Sequence, residues 1–277
     1  MAINIQLSGE ESANGSSRED DARVAGNLNT VNTQSGNDKV IANGNINQIN
    51  AGGGADKVIV NGNNNVANGG NGDDKITLTG QNNKANGGNG RDIIRSTGGQ
   101  ARIDAGNGND IVKSTGNNNF IDGGSGNDII RITGNSNNVK GGTGDDIIEI
   151  LDGFDNQIDA GGGQDKVLGS MNDDVIVGGA GNDRLTGRGG KDLFIFREED
   201  FGFSDGPAFG NYSDVITDFT QGEDRLLIYG FTFDDAVSIG NSTYTFDNGT
   251  NVLSIRFANN ITLNAGDFVA GGDIANV

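Results

Sequence analysis

Residues 69 to 150 read, in blocks of eighteen, GGNGDDKITLTGQNNKAN (69–86), GGNGRDIIRSTGGQARID (87–104), AGNGNDIVKSTGNNNFID (105–122), GGSGNDIIRITGNSNNVK (123–140) and GGTGDDIIEI (141–150). One aspartate returns without slippage at Asp74, Asp92, Asp110, Asp128 and Asp146. Upstream the same phase picks up Asp56 and Asp38, and downstream Asp165, one residue late. After that the spacing halves, to Asp174, Asp183 and Asp192. A fixed period of this length is the sequence signature of a solenoid.

The phase carries more than the acid. Two places after each aspartate stands an apolar residue: Val40, Val58, Ile76, Ile94, Val112, Ile130 and Ile148. Nine places after stands an asparagine (Asn47, Asn65, Asn83, Asn119, Asn137), with Ala101 the exception. Two places beyond those come Ile49, Ala67, Ala85, Ile103, Ile121 and Val139. Each block is therefore two half-turns, each a glycine-rich bend followed by a short strand with one apolar residue turned inward.

Composition alone would suggest disorder. Apolar residues make up 33%, glycine 49 of 277 residues, and the net charge is -19. With the repeat, the glycines become bend residues and the acids become ligands awaiting a counter-charge. The chain has no cysteine and no histidine. That removes disulfides, thiolate metal sites, zinc-peptidase chemistry and serine-histidine triads. So acidic a chain is an improbable partner for nucleic acid. MAINIQLSGEESANG at the N-terminus has no basic region followed by an apolar run, so no cleavable signal is expected, and no stretch is long enough to span a membrane.

Two nonapeptides, Gly123-Gly124-Ser125-Gly126-Asn127-Asp128-Ile129-Ile130-Arg131 and Gly178-Gly179-Ala180-Gly181-Asn182-Asp183-Arg184-Leu185-Thr186, fit the pattern G-G-x-G-x-D-x-U-x, with U a large apolar residue, at every position. This resembles the repeats-in-toxin (RTX) family, over roughly two thirds of the chain. The resemblance implies an all-β fold, a right-handed parallel β-roll of 18-residue coils, with calcium in the glycine-aspartate bends. It also implies a secreted, extracellular protein that leaves the cell by type I export machinery reading an uncleaved C-terminal signal. Asp214-Val215-Ile216-Thr217-Asp218-Phe219, then Gly222, Asp224 and Leu226, resembles the segment after the repeats in serralysin-type peptidases, implying a C-terminal β-structured cap. No peptidase domain is expected, because no HExxH exists without histidine. The last residues, DFVAGGDIANV, are short, acidic and apolar, as such export tails are.

Three regions follow. Residues 1–35 read as an N-terminal cap with one degenerate coil, in which Asp20 and Asn29 keep the phase and Ala22 and Val31 point inward. Residues 36–192 read as the roll, and 193–277 as the cap and secretion region, with strand-like runs DLFIF, DVITDF, DRLLIYG, STYTF and VLSIRF and eleven of the thirteen phenylalanines.

The chemistry follows from stacking. Coils of a parallel solenoid lie about 4.8 Å apart. An aspartate once per coil becomes a column of carboxylates, each neighbouring pair repelling by roughly 3 kcal/mol at an effective dielectric near 20. A hard divalent cation reverses that sign, and calcium accepts six to eight oxygens in flexible geometry. The expected ligands are Asp38, Asp56, Asp74, Asp92, Asp110, Asp128, Asp146, Asp165, Asp174, Asp183 and Asp192, holding about eight or nine Ca2+ ions. Before residue 160 the opposite edge carries neutral amides, so metal is expected on one edge only. From Asp165 to Asp192 it is expected on both, and that dense region is expected to nucleate folding. The role expected is non-catalytic surface, matrix or interaction contact. Two alternatives remain. One is a polysaccharide-binding module resembling those of alginate epimerases, with Arg95, Lys113 and Arg131 as a basic row. The other is an ice-binding face made by Thr79, Thr97, Thr115 and Thr133 beside the asparagines.

Overall fold

A computed structural model describes residues 4–197, 212–247 and 252–269. The last eight residues of the expected export tail lie outside them. Strands dominate, and the only helical elements among the described residues are two 3-10 turns, Phe233–Asp235 and Ala265–Asp267. The fold is a parallel β-solenoid, as expected. The chain divides into two compact units, Met1–Val139 and Lys140–Val277.

In the first unit every coil gives one strand to each of two sheets. Asn4–Leu7, Asp21–Ala25, Lys39–Asn43, Lys57–Asn61, Lys75–Thr79, Ile93–Thr97, Ile111–Thr115 and Ile129–Thr133 form one. Ser12–Asn14, Thr30–Asn32, Gln48–Gly53, Val66–Asn71, Lys84–Asn89, Arg102–Asn107 and Phe120–Ser125 form the other. All pairings are parallel, and from Asp21–Ala25 onward they are in register with the period (Ile94 faces Val112, and Ala85 faces Ile103), while Asn4–Leu7 pairs at an offset of seventeen. The N-terminal segment supplies two coils where one was expected, and Ile5 and Leu7 join the core.

Strands of the first sheet turn two residues inward, not one. Beside the expected Val40, Val58, Ile76, Ile94, Val112 and Ile130 runs a second buried column: Ala42, Val60, Leu78, Ser96, Ser114 and Ile132. The period-2 pleat of a five-residue strand requires this, since its second and fourth residues share a face. The serines hid the column from a search for apolar residues. Their buried hydroxyls lack a hydrogen-bond partner in the structure.

In the second unit, Ile147–Asp152, Lys166–Leu168, Arg184–Thr186 and Tyr212–Ile216 continue in parallel on one face. Asn156–Gly163, Asp174–Gly181, Leu193–Phe196 and Arg225–Ile228 do so on the other. The one-residue delay of Asp165 shows as a register of nineteen between Ile147 and Lys166. Parallel pairing thus extends past Asp192. It then changes sense: Tyr212–Ile216 pairs in parallel with Val252–Phe257, which pairs antiparallel with Thr243–Asp247, followed by Val237–Gly240. All five strand-like runs of this region form strands. Here phenylalanines replace the thin aliphatic core, with Phe219 against Phe194 (6.2 Å between centroids) and Phe257 (5.2 Å). A second apolar layer, not anticipated, covers the other face of one sheet, where Val177, Ile195 and Leu227 are buried with Val269 packed on them.

Candidate metal ladder

The acid column is built by one hydrogen bond repeated from coil to coil. The backbone N–H of Asp20 donates to Oδ1 of Asp38 at 2.7 Å. Asp38 donates to Asp56, Asp56 to Asp74, Asp74 to Asp92, Asp92 to Asp110 and Asp110 to Asp128 in the same way, at 2.6–2.8 Å. In the second unit Asp146 donates to Asp165, Asp165 to Asp183 and Asp183 to Asp214. All of these carboxylates are buried. Asp214 is a rung the sequence reading placed in the cap; its signal was the aspartate opening the DVITDF run.

One oxygen per carboxylate is thereby used. The other, Oδ2 of Asp38, Asp56, Asp74, Asp92, Asp110 and Asp165, is buried and has no hydrogen-bond partner. Burial raises the affinity of these groups for protons. The Asp74 and Asp110 carboxyls are pushed up to about 7, and those of Asp56, Asp128 and Asp165 to about 6, by loss of water first and by neighbouring carboxylates only after it. Desolvation, more than the mutual repulsion expected from the stacking, makes the ion-free column costly.

The glycines leave room beside those oxygens. A Cβ on Gly69 or Gly87 would collide with Oδ2 of Asp74 or Asp92 and with a backbone carbonyl of the next coil. Gly88, at φ 112°, sends its carbonyl against Gly106 above it, so only glycine tolerates both the angle and the contact. Among the described residues no point gathers three acidic side chains. The ladder offers two carboxylates per gap, and backbone carbonyls must supply the rest of a coordination shell. Such a set of oxygens, with the Oδ2 of Asp38, Asp56, Asp74, Asp92, Asp110 and Asp165 lacking a donor, fits calcium.

The opposite edge repeats the same backbone bond with amides. Asn29 N–H donates to Asn47 Oδ1, Asn47 to Asn65, Asn65 to Asn83 and Asn119 to Asn137, at 2.8–3.0 Å. The side-chain Nδ2 then donates to a bend carbonyl: Asn47 to Gly26, Asn65 to Gly44, Asn83 to Gly62. Where aspartate leaves an oxygen wanting a positive partner, asparagine carries its own donor and the edge closes without charge.

In the second unit this edge changes to acid. Asn156 N–H meets Asp174 Oδ1 at 3.3 Å, Asp174 meets Asp192 at 3.0 Å, and Asp192 meets Asp224 at 2.9 Å. The Asp192 carboxyl is pushed up to about 8 by burial and by Asp224 and Asp174. Asp224 was another missed rung. Asp174 differs from the other expected ligands, because its Oδ2 already accepts the Ser170 N–H at 2.6 Å.

The remaining candidates lie outside the ladders. Arg95, Lys113 and Arg131 are neighbours on the exposed face of one sheet. Thr79, Thr97, Thr115 and Thr133 are in register at the ends of their strands.

Fold and site together define a parallel β-solenoid whose glycine-aspartate bends form a column for a divalent cation. The family described as the RTX calcium-binding nonapeptide repeat matches residues 32–67, 59–94, 68–103, 95–130 and 168–197. Over these residues the chain carries RTX hemolysin-type calcium-binding repeats. The matched windows contain the rungs Asp38 to Asp128 and Asp174 to Asp192. No curated protein matches the chain.

Proposed function

We propose that this protein is a secreted, non-catalytic RTX protein whose roll folds on calcium outside the cell. One observation carries the reading: the buried Oδ2 atoms of Asp38, Asp56, Asp74, Asp92, Asp110 and Asp165 have no donor, in a chain of net charge -19. The ions would lie along the acid edge between Asp38, Asp56, Asp74, Asp92, Asp110, Asp128, Asp146, Asp165 and Asp183, with Asp192 on the other edge, and would neutralise carboxylates that burial otherwise penalises. Each filled site adds roughly 1.4 kcal/mol when free calcium is about ten times the dissociation constant, so several together reach the stability of a whole domain. Binding and folding then form one event. At submicromolar calcium the chain stays open and exportable; at millimolar calcium it closes. Serine, threonine and aspartate abound, but the ladder carboxylates are engaged as rungs and the chain has no histidine to serve as a base. The role that fits is a calcium-stiffened surface or matrix contact.

The test is circular dichroism against calcium. Strand signal should be low in chelator, appear in millimolar calcium, and not be restored by magnesium, which is smaller and holds its waters. Equal strand content in chelator and in calcium would reject the proposal.

A further inference from the structure

Eight of the acid rungs fall into two groups according to what faces the second carboxylate oxygen. At Asp56, Asp74, Asp92, Asp110 and Asp165 the residue four places earlier is Gly52, Gly70, Gly88, Gly106 or Gly161, with φ between 104° and 119°. No N–H of such a left-handed glycine reaches its own aspartate, and Oδ2 has no partner. At Asp20, Asp174 and Asp224 the residue four places earlier is Ser16, Ser170 or Thr220, and none of these adopts a positive φ. Each donates its backbone N–H to Oδ2, at 2.6, 2.6 and 2.7 Å. Ser16 adds its hydroxyl to Oδ1 of Asp20 at 3.1 Å. Ser170 is locked by accepting from Asn172 N–H at 3.0 Å and donating to Asn172 O at 3.1 Å.

The three rungs share a place in their columns. The coil before Asp20 brings no acid to that edge. Asp174 follows the amide Asn156. Asp224 is the last described rung of its column, after Asp192. Each of these rungs thus has an acid neighbour on one side only. An N–H aimed at the oxygen both stabilises the buried carboxylate and repels a cation from it.

We infer that Ser16, Ser170 and Thr220 are built-in caps that close the ends of the acid columns without metal, so that Asp20, Asp174 and Asp224 do not ligate calcium. This rests on the calcium reading above. It narrows the second edge, where sequence spacing alone expects metal at both Asp174 and Asp192, to Asp192.

Anomalous scattering from crystals grown in calcium tests it, together with titration calorimetry. In the native chain, density should stand along Asp56 to Asp110 and not within coordinating distance of Asp174 Oδ2. Replacing Ser170→Gly with Asn172→Gly restores the full G-G-x-G-x-D pattern before Asp174. That variant should bind one more ion and show density there. Native density on Asp174, with Asp56 to Asp110 also filled, would overturn the cap alone; so would an unchanged ion count in the folded variant. Absence of ions from Asp56 to Asp110 would instead sink the calcium reading, and the cap with it.

Discussion

Ile46 holds φ at 60° with half of its surface exposed, in a column of the amide edge that elsewhere reads Leu28, Asn64, Asn82, Gln100, Asn118 and Ser136, all left-handed. A β-branched residue pays for that angle in sterics, where asparagine tolerates it. Ile46→Asn should therefore stabilise the calcium-loaded roll by about 1 kcal/mol, seen as a higher thermal midpoint. A second single-residue prediction concerns charge. Asp92→Asn keeps the oxygen that accepts from Asp74 and supplies a donor in place of a carboxylate wanting a cation. Calorimetry should count at least one ion fewer. In chelator the variant should be more stable by on the order of 1 kcal/mol, because a buried charge has been exchanged for a donor. The sequence showed which residues were acid and which amide. It did not show that both use Oδ1 for one shared backbone bond, since that bond joins residues eighteen apart and depends on the stacking itself.

At the scale of the strand and the coil, period and register were legible, because a glycine bend and a pleated strand leave a fixed spacing of apolar residues. The second inward column was not, because Ser96 and Ser114 occupy it. Two rungs were also missed. Asp214 follows Asp183 by thirty-one residues and Asp224 follows Asp192 by thirty-two, so the chain between them breaks the count while the ladder bond does not. The phenylalanine-rich strands were readable as strands. Their continuation of parallel pairing from the repeats was not, because it is set by which edge lies open when the repeats end.

For the whole chain, the burial of so many carboxylates fixes a pH dependence. The groups of Asp74 and Asp110 are raised to about 7 and that of Asp192 to about 8, above an unfolded value of 3.8. Between those values the ion-free folded state holds more protons than the unfolded chain, so its stability falls as pH rises and returns as pH drops. In chelator, strand signal should be least at pH 8 and recover toward pH 5. In millimolar calcium it should stay nearly level over that range, while the calcium midpoint shifts to higher concentration on acidification, because protons compete for the same oxygens. Circular dichroism across a pH and calcium grid checks both. A calcium-free signal that grows with pH would contradict the assignment of these carboxylates as buried in the fold.

The bond from each aspartate N–H to the carboxylate of the following coil gives the column a direction. A coil lost from the N-terminal side strips the next carboxylate of the donor that orients it. A coil lost from the C-terminal side strips only an N–H of its acceptor, which water readily replaces. The two ends of such a stack are thus unequal in how they fray: peeling from the front disarms the next binding gap, and peeling from the back leaves the remaining gaps primed to refill.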